Sequence, residues 1–153
     1  MSPSGLELLP QRGPARLVVE IRESEEGLVG IARVPADSPF RGPLLGGASA
    51  PAMLAVEMAA QTAAALEPTP SSAPGSEESG AGAPGSPRLL VGLRAVELHA
   101  ERLDAEATFL CRARATSTSG PLRIYRFEVS SVSGELVAEG ELSTFFEVAS
   151  SPT

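Results

Sequence analysis

The stretch PFRGPLLGGASAPAMLAVEMAAQTAAAL, from Pro39 to Leu66, decides how the rest of the chain is read. From Pro51 onward it is almost entirely Ala, Leu, Val and Met, and its only clearly polar side chains are Glu57, Gln61 and Thr62. Pro51 suits a first helical turn, where its missing N–H has no partner to lose, with Ser49 or Ala50 near the N-cap. Glu67-Pro68 ends the run, because the residue before a proline avoids the α region. The pattern predicts one long helix over about 51–66, apolar nearly all round. Such a helix must be enclosed on most sides, and the alanines at 52, 55, 59, 60, 63, 64 and 65 let a sheet come close.

The flanking segments read as that sheet. Leu17–Arg22 and Leu28–Val34 form a candidate hairpin around ESEEG (23–27), which closes on Gly27. Further strands are expected at Arg88–Leu98, Glu106–Thr116, Leu122–Ser131 and Leu136–Val148, with turns at SGP (119–121) and around Gly134. Ala107, Phe109, Cys111, Ala113 and Ala115 alternate with other residues, as do Arg123, Tyr125, Phe127 and Val129, the period of a half-buried strand. The expected fold is α+β: an antiparallel sheet of about six strands wrapped round one long central helix, in a single domain over 1–153. Residues 67–87, EPTPSSAPGSEESGAGAPGSP, have no apolar side chain but alanine and read as a flexible Pro/Gly/Ser-rich insertion.

Composition excludes several functions. The 153 residues suit one domain with a modest core. The net charge is −7 and all 12 basic residues are arginines, which argues against nucleic-acid binding. No apolar run approaches the ~20 residues of a membrane span, and MSPSGLELLPQRGP has neither a basic nor an apolar signal-peptide region. With the single Cys111 no intrachain disulfide forms. A cytoplasmic, reducing setting is the expectation.

Glu57 and Gln61 stand four apart and so share a helix face. A buried carboxylate is costly unless paired, hydrogen-bonded or protonated, and desolvation raises its pKa, which suits a general acid. The other reading is a solvent-facing stripe on which both residues simply lie. His99, the only histidine, reads as a polar strand-end residue rather than a base, and Cys111 as a small core residue rather than a nucleophile. The sequence spacing reveals no metal-ligand cluster, no phosphate-binding glycine loop and no Ser-His-Asp pattern, so neither metal nor cofactor is expected.

The chain resembles the hotdog-fold 3-hydroxyacyl-[acyl carrier protein] dehydratases. Leu9-Pro10-Gln11-Arg12-Gly13-Pro14 is similar to their N-terminal LPHR-P pattern. Pro39-Phe40, Gly42, Gly46, Pro51, Glu57 and Gln61 follow in register their PF-x-x-GHFPG-x-P-x-MPG signature and its helical E-x-x-x-Q. VELHAERLDAE (96–106) and RIYRFEVSS (123–131) resemble the divergent aryl-polyene-type, ApeP-like branch. The resemblance implies Glu57 as catalytic acid, Gln61 as its support, and Gly46, Pro51 and Ala52 as substrate-binding positions, Ala52 through a backbone N–H at the helix start. The chain departs from the signature where the catalytic histidine belongs: Pro43 stands there, with Leu44-Leu45 for Phe-Pro and Ala52 for glycine. Proline has no titratable group and cannot take a proton from carbon.

Family dimers join their sheets and build each site from the histidine of one subunit and the acid of the other. The resemblance therefore implies a chain inactive alone that supplies Glu57 to a histidine-bearing homologue, acting on thioesters carried by acyl carrier protein. Two alternatives stay open: a non-catalytic subunit that binds acyl carrier protein or acyl chains, and a homodimeric hotdog thioesterase using Glu57 as base.

Overall fold

The computed structural model describes residues 6, 9, 12–41, 47–66 and 88–146. The proposed insertion at 67–87 lies outside the described residues, as do Gly42, Pro43 and Gly46.

Among the described residues, eight strands and one α-helix follow in the order β1 (Val18–Ser24), β2 (Gly27–Arg33), β3 (Ser49–Pro51), α1 (Leu54–Leu66), β4 (Arg88–Leu98), β5 (Arg102–Asp104), β6 (Thr108–Ser119), β7 (Leu122–Ser131) and β8 (Leu136–Phe146). Six of them form one antiparallel sheet in the order β1-β2-β6-β7-β8-β4. The expected hairpin closes through Ser24 opposite Gly27, where the Ser24 hydroxyl donates to the Gly27 carbonyl at 2.7 Å. β4, the first strand after the helix, crosses to the far edge beside β8.

α1 lies on one face of this sheet, against β6, β2, β7, β1 and β8. The alternation in β6 and β7 delivers Phe109, Cys111, Tyr125, Phe127 and Val129 to that face, all buried. Together with Met58, Ala59 and Ala63 of the helix they make one continuous core. The single-domain hotdog architecture read from the sequence is the architecture found.

The helix entry differs from the expectation. Ser49–Pro51 is a short strand, β3, paired antiparallel with β5: Ser49 opposite Asp104, Ala50 opposite Leu103, Pro51 opposite Arg102. The helix proper starts at Leu54, its first turn closed by Ala55 N–H on the Ala52 carbonyl and Val56 N–H on the Met53 carbonyl, both at 3.0 Å. Neither Ser49 nor Ala50 is the N-cap. Proline cannot donate to a ladder but is tolerated at a strand end, and burying Ala50 and Leu103 (0% and 2% exposed) favours pairing over an earlier helical turn.

Gly30 shows how closely the helix seats. A Cβ at this position in β2 would fall 2.3 Å from Thr62 Oγ1 and 2.9 Å from its Cγ2. Thr62 cannot easily turn away, because its hydroxyl donates to the Met58 carbonyl at 2.8 Å on its own helix. Gly30→Ala is therefore expected to cost about 1–3 kcal/mol by overpacking, read as a lowered unfolding midpoint. Adding Thr62→Ala, which removes both clashing atoms, should recover most of the loss. A silent Gly30→Ala would show that helix and sheet stand further apart.

No helix among the described residues is long and apolar enough to cross a membrane.

Candidate functional site

Glu57 lies in the first turn of α1, where the helix macrodipole favours a negative charge. Along the helix Ala55, Val56, Met58, Ala59, Gln61, Thr62 and Ala63 are buried. Glu57, Ala60 and Ala64 are only partly so, and Met53, at the entry turn, is exposed. These four stand at i, i+4, i+7 and i+11, one helix face. Glu57 thus sits half-buried on this stripe, between the enclosed and the solvent-facing readings.

Gln61 separates from the stripe. It is 1% exposed, and its amide makes four hydrogen bonds. Oε1 accepts from the backbone N–H of Leu17 at 2.8 Å and of Val18 at 3.1 Å. Nε2 donates to the Ala15 carbonyl at 2.9 Å and to Glu57 Oε1 at 2.9 Å. Two amide hydrogens and two lone pairs are all this side chain offers, so every one is used. The amide orientation follows from this network: reversed, it would set its NH₂ against two backbone N–H groups. Gln61 pins the entry to β1 onto the helix and holds one carboxylate oxygen of Glu57. Gln61 is thus buried rather than on a solvent-facing stripe, while Glu57 is half-buried beside it.

The Arg41 guanidinium donates to the carbonyls of Val34 and Ala105 and pairs with Glu106. Its side chain is only 11% exposed, so the arginine ties the end of the 39–41 turn to the β5–β6 junction. That turn leads directly into the segment containing Pro43, which lies outside the described residues. Phe40, in that turn, is exposed at 48%, and so is Met53 at 53%, a large apolar side chain the sequence did not mark as special. Of the substrate-binding positions, Pro51 ends β3 and Ala52 is buried in the turn entering α1. Gly46 lies outside the described residues.

His99 follows the last residue of β4, and its backbone N–H donates to the Val137 carbonyl at 2.8 Å. Its side chain is near Glu97 and Glu139. Glu139 alternates along β8 with the buried Ala138 and so faces away from the helix. The histidine is therefore on the side of the sheet opposite Glu57 and does not stand in as its base. Cys111 is wholly buried; burial pushes its thiol up to about 12, only partly offset by a hydrogen bond with Thr62. A thiol so held stays protonated and unreactive at neutral pH.

A family model described as ApeP-like, the ApeP dehydratase, matches residues 3–151. No curated protein matches the chain in sequence. Among solved structures, the dehydratase heterocomplex ApeI:P from Xenorhabdus doucetiae is similar, with a TM-score of 0.72 and 18% identity over 97% of this chain and 94% of that one. The BH2602 protein of Bacillus halodurans, solved with CoA, follows at a TM-score of 0.54 and 14% identity, covering 86% of this chain and 75% of its own. A thioesterase variant from Pseudomonas aeruginosa has a TM-score of 0.52 and 11% identity, over 82% and 78%. At these identities the structural likenesses establish the hotdog fold.

Proposed function

The chain belongs to the ApeP-like dehydratase family, and on that premise we propose that it is the acid-bearing subunit of a heterodimeric dehydratase. Its substrates are 3-hydroxyacyl thioesters carried by acyl carrier protein. The observation that carries this reading is the Glu57 carboxylate, held by a fully engaged Gln61 on a half-buried helix stripe, in a chain with Pro43 where the dehydratase signature has histidine.

The chemistry divides between two chains. The partner's histidine takes the proton from C2 of the acyl group. The electron pair of that C–H bond forms the C2–C3 double bond, and the C3–O bond breaks. Glu57, in its acid form, gives its proton to the departing hydroxyl, which leaves as water. The imidazolium then returns a proton to the Glu57 carboxylate, and the cycle closes. Gln61 Nε2 keeps Glu57 pointed across the open stripe throughout. The other site of such a dimer would pair Pro43 with the partner's acid and has no base.

The sheet edge supports an assembly of this kind. Leu89, Leu90, Val91 and Leu93 of β4 are exposed at 53%, 43%, 53% and 44%. An exposed aliphatic edge strand offers unpaired backbone groups and invites a partner strand. The similar Xenorhabdus structure is itself a heterocomplex, which accords with a second, different hotdog chain at this edge.

Co-expression with a histidine-bearing hotdog homologue tests the reading. The two chains are expected to co-purify one to one, and Leu90→Asp with Leu93→Asp should abolish co-purification while far-UV circular dichroism stays unchanged. Undiminished co-purification of that variant would exclude β4 as the joining edge. A chain that hydrolyses acyl thioesters by itself would favour the thioesterase alternative.

A further inference from the structure

On the side of the sheet away from α1 the fold gathers three metal-ligating side chains, two from the end of β4 and one from β8. Glu97, His99 and Glu139 each bring one donor atom within 4.8 Å of the other two. His99 Nε2 is 3.9 Å from Glu97 Oε2 and 3.9 Å from Glu139 Oε1. We propose that Glu97, His99 and Glu139 form a site for a divalent transition metal of the zinc type, which fastens the edge strand β4 to β8.

Three further observations point the same way. First, Glu97 is directly opposite Glu139 across the β4–β8 ladder, and Glu139 is directly opposite Glu128 on β7. Like charges facing each other across strands are destabilising, and a bound cation removes that repulsion. Arg94 and Arg126 border the same cleft of about 330 Å³, yet among the described residues neither forms an ion pair with Glu97 or Glu139. Second, the convergence depends on an irregularity. β4 is bulged between Arg94 and Glu97, and Ala95 there has a φ of 50°, a left-handed conformation that a Cβ disfavours. Strained backbone of this kind persists where the surrounding structure demands it, often at functional positions. Third, Gly140 accommodates the bulge: a Cβ there would lie 2.9 Å from the Val96 Cα.

The donor set fixes the class of ligand. One imidazole and two carboxylates suit zinc and its neighbours, whereas magnesium and calcium prefer all-oxygen shells. The three side chains are 67%, 35% and 30% exposed, so water completes the coordination sphere. The backbone bond from His99 to Val137 and the pairing of Glu97 with Glu139 hold the donors on paired strands. The site is on the far side of the sheet from Glu57 and stands independently of the dehydratase reading.

The test uses the tag-free full-length chain and zinc ions. Its only imidazole gives one set of ring-proton NMR signals, a direct report on His99. Those signals are expected to shift and saturate at one equivalent of zinc, with matching calorimetric stoichiometry and a raised melting midpoint. His99→Gln and Glu139→Gln should each weaken binding by at least about tenfold, since losing even an outer-sphere partner costs that much. Both are surface changes, so circular dichroism should be unaltered. Absence of saturable binding, binding undiminished in either variant, or equally tight uptake of magnesium would each overturn the proposal.

Discussion

Replacing Glu57 by alanine is expected to leave the heterodimer assembled and to cut its dehydration turnover by roughly 10²- to 10⁴-fold, the usual contribution of a positioned proton donor. Glu57→Gln should be nearly as damaging. The amide keeps the shape and can still meet Gln61, but it has no proton to give to a leaving hydroxyl. Gln61→Ala should act differently, because its amide joins Glu57 to the Ala15, Leu17 and Val18 backbone. Its removal leaves buried backbone groups without partners, at about 1–3 kcal/mol or more. Lost stability should therefore accompany any lost turnover, whereas Glu57→Ala should lose turnover alone. The control is the partner's own acid, whose removal touches only the site without a base and should be nearly silent. A silent Glu57→Ala beside an essential partner acid would reverse the assignment and leave this chain a structural subunit.

The second large effect is an absence of turnover. The purified chain alone should not dehydrate 3-hydroxyacyl thioesters above the uncatalysed rate, whatever its concentration. On the proposed arrangement a homodimer would hold two acids and no positioned base to remove a C2 proton, and His99 lies across the sheet from Glu57. Adding the histidine-bearing partner should restore activity at one to one stoichiometry. Dehydration by the chain alone that survives His99→Ala would mean that a base has gone unrecognised.

These expectations rest on unequal amounts of sequence information. The hairpin at ESEEG and the alternation through Phe109, Cys111, Tyr125 and Phe127 are local patterns, each element declaring its own period. The apolar helix ending at Pro68 is of the same kind, and so is the i, i+4 spacing that lets Gln61 reach Glu57. β3 and β5 are three residues each, too short to show a period, and they exist because Ala50 and Leu103 are buried together across some fifty residues of chain. That pairing moved the start of the helix to Leu54.

The chemistry of Glu57 and Gln61 was likewise only half legible. Their spacing put them on one face, and the ungapped register with the dehydratase signature gave each a role to expect. It did not say which of the two is buried. The helix face that meets β1 takes in Gln61, and its amide pays no desolvation penalty there because three backbone groups and Glu57 satisfy it. Glu57 stays half-buried at the edge of the helix stripe, where an ionisable group is tolerated.

The sequence by itself determined the class of fold and the family, because these reside in residue identities and in short periods along the chain. Only the tertiary structure decided which face of α1 is open, where β4 comes to lie and what gathers beneath it. β4 follows the helix in sequence yet ends beside β8, the last strand, and so leaves its aliphatic edge uncovered. The same crossing sets Glu97 and His99 beside Glu139, forty residues onward. No local pattern encodes such proximities, since they arise from the order in which strands are laid into a sheet, and that order is settled by burial of the whole core at once.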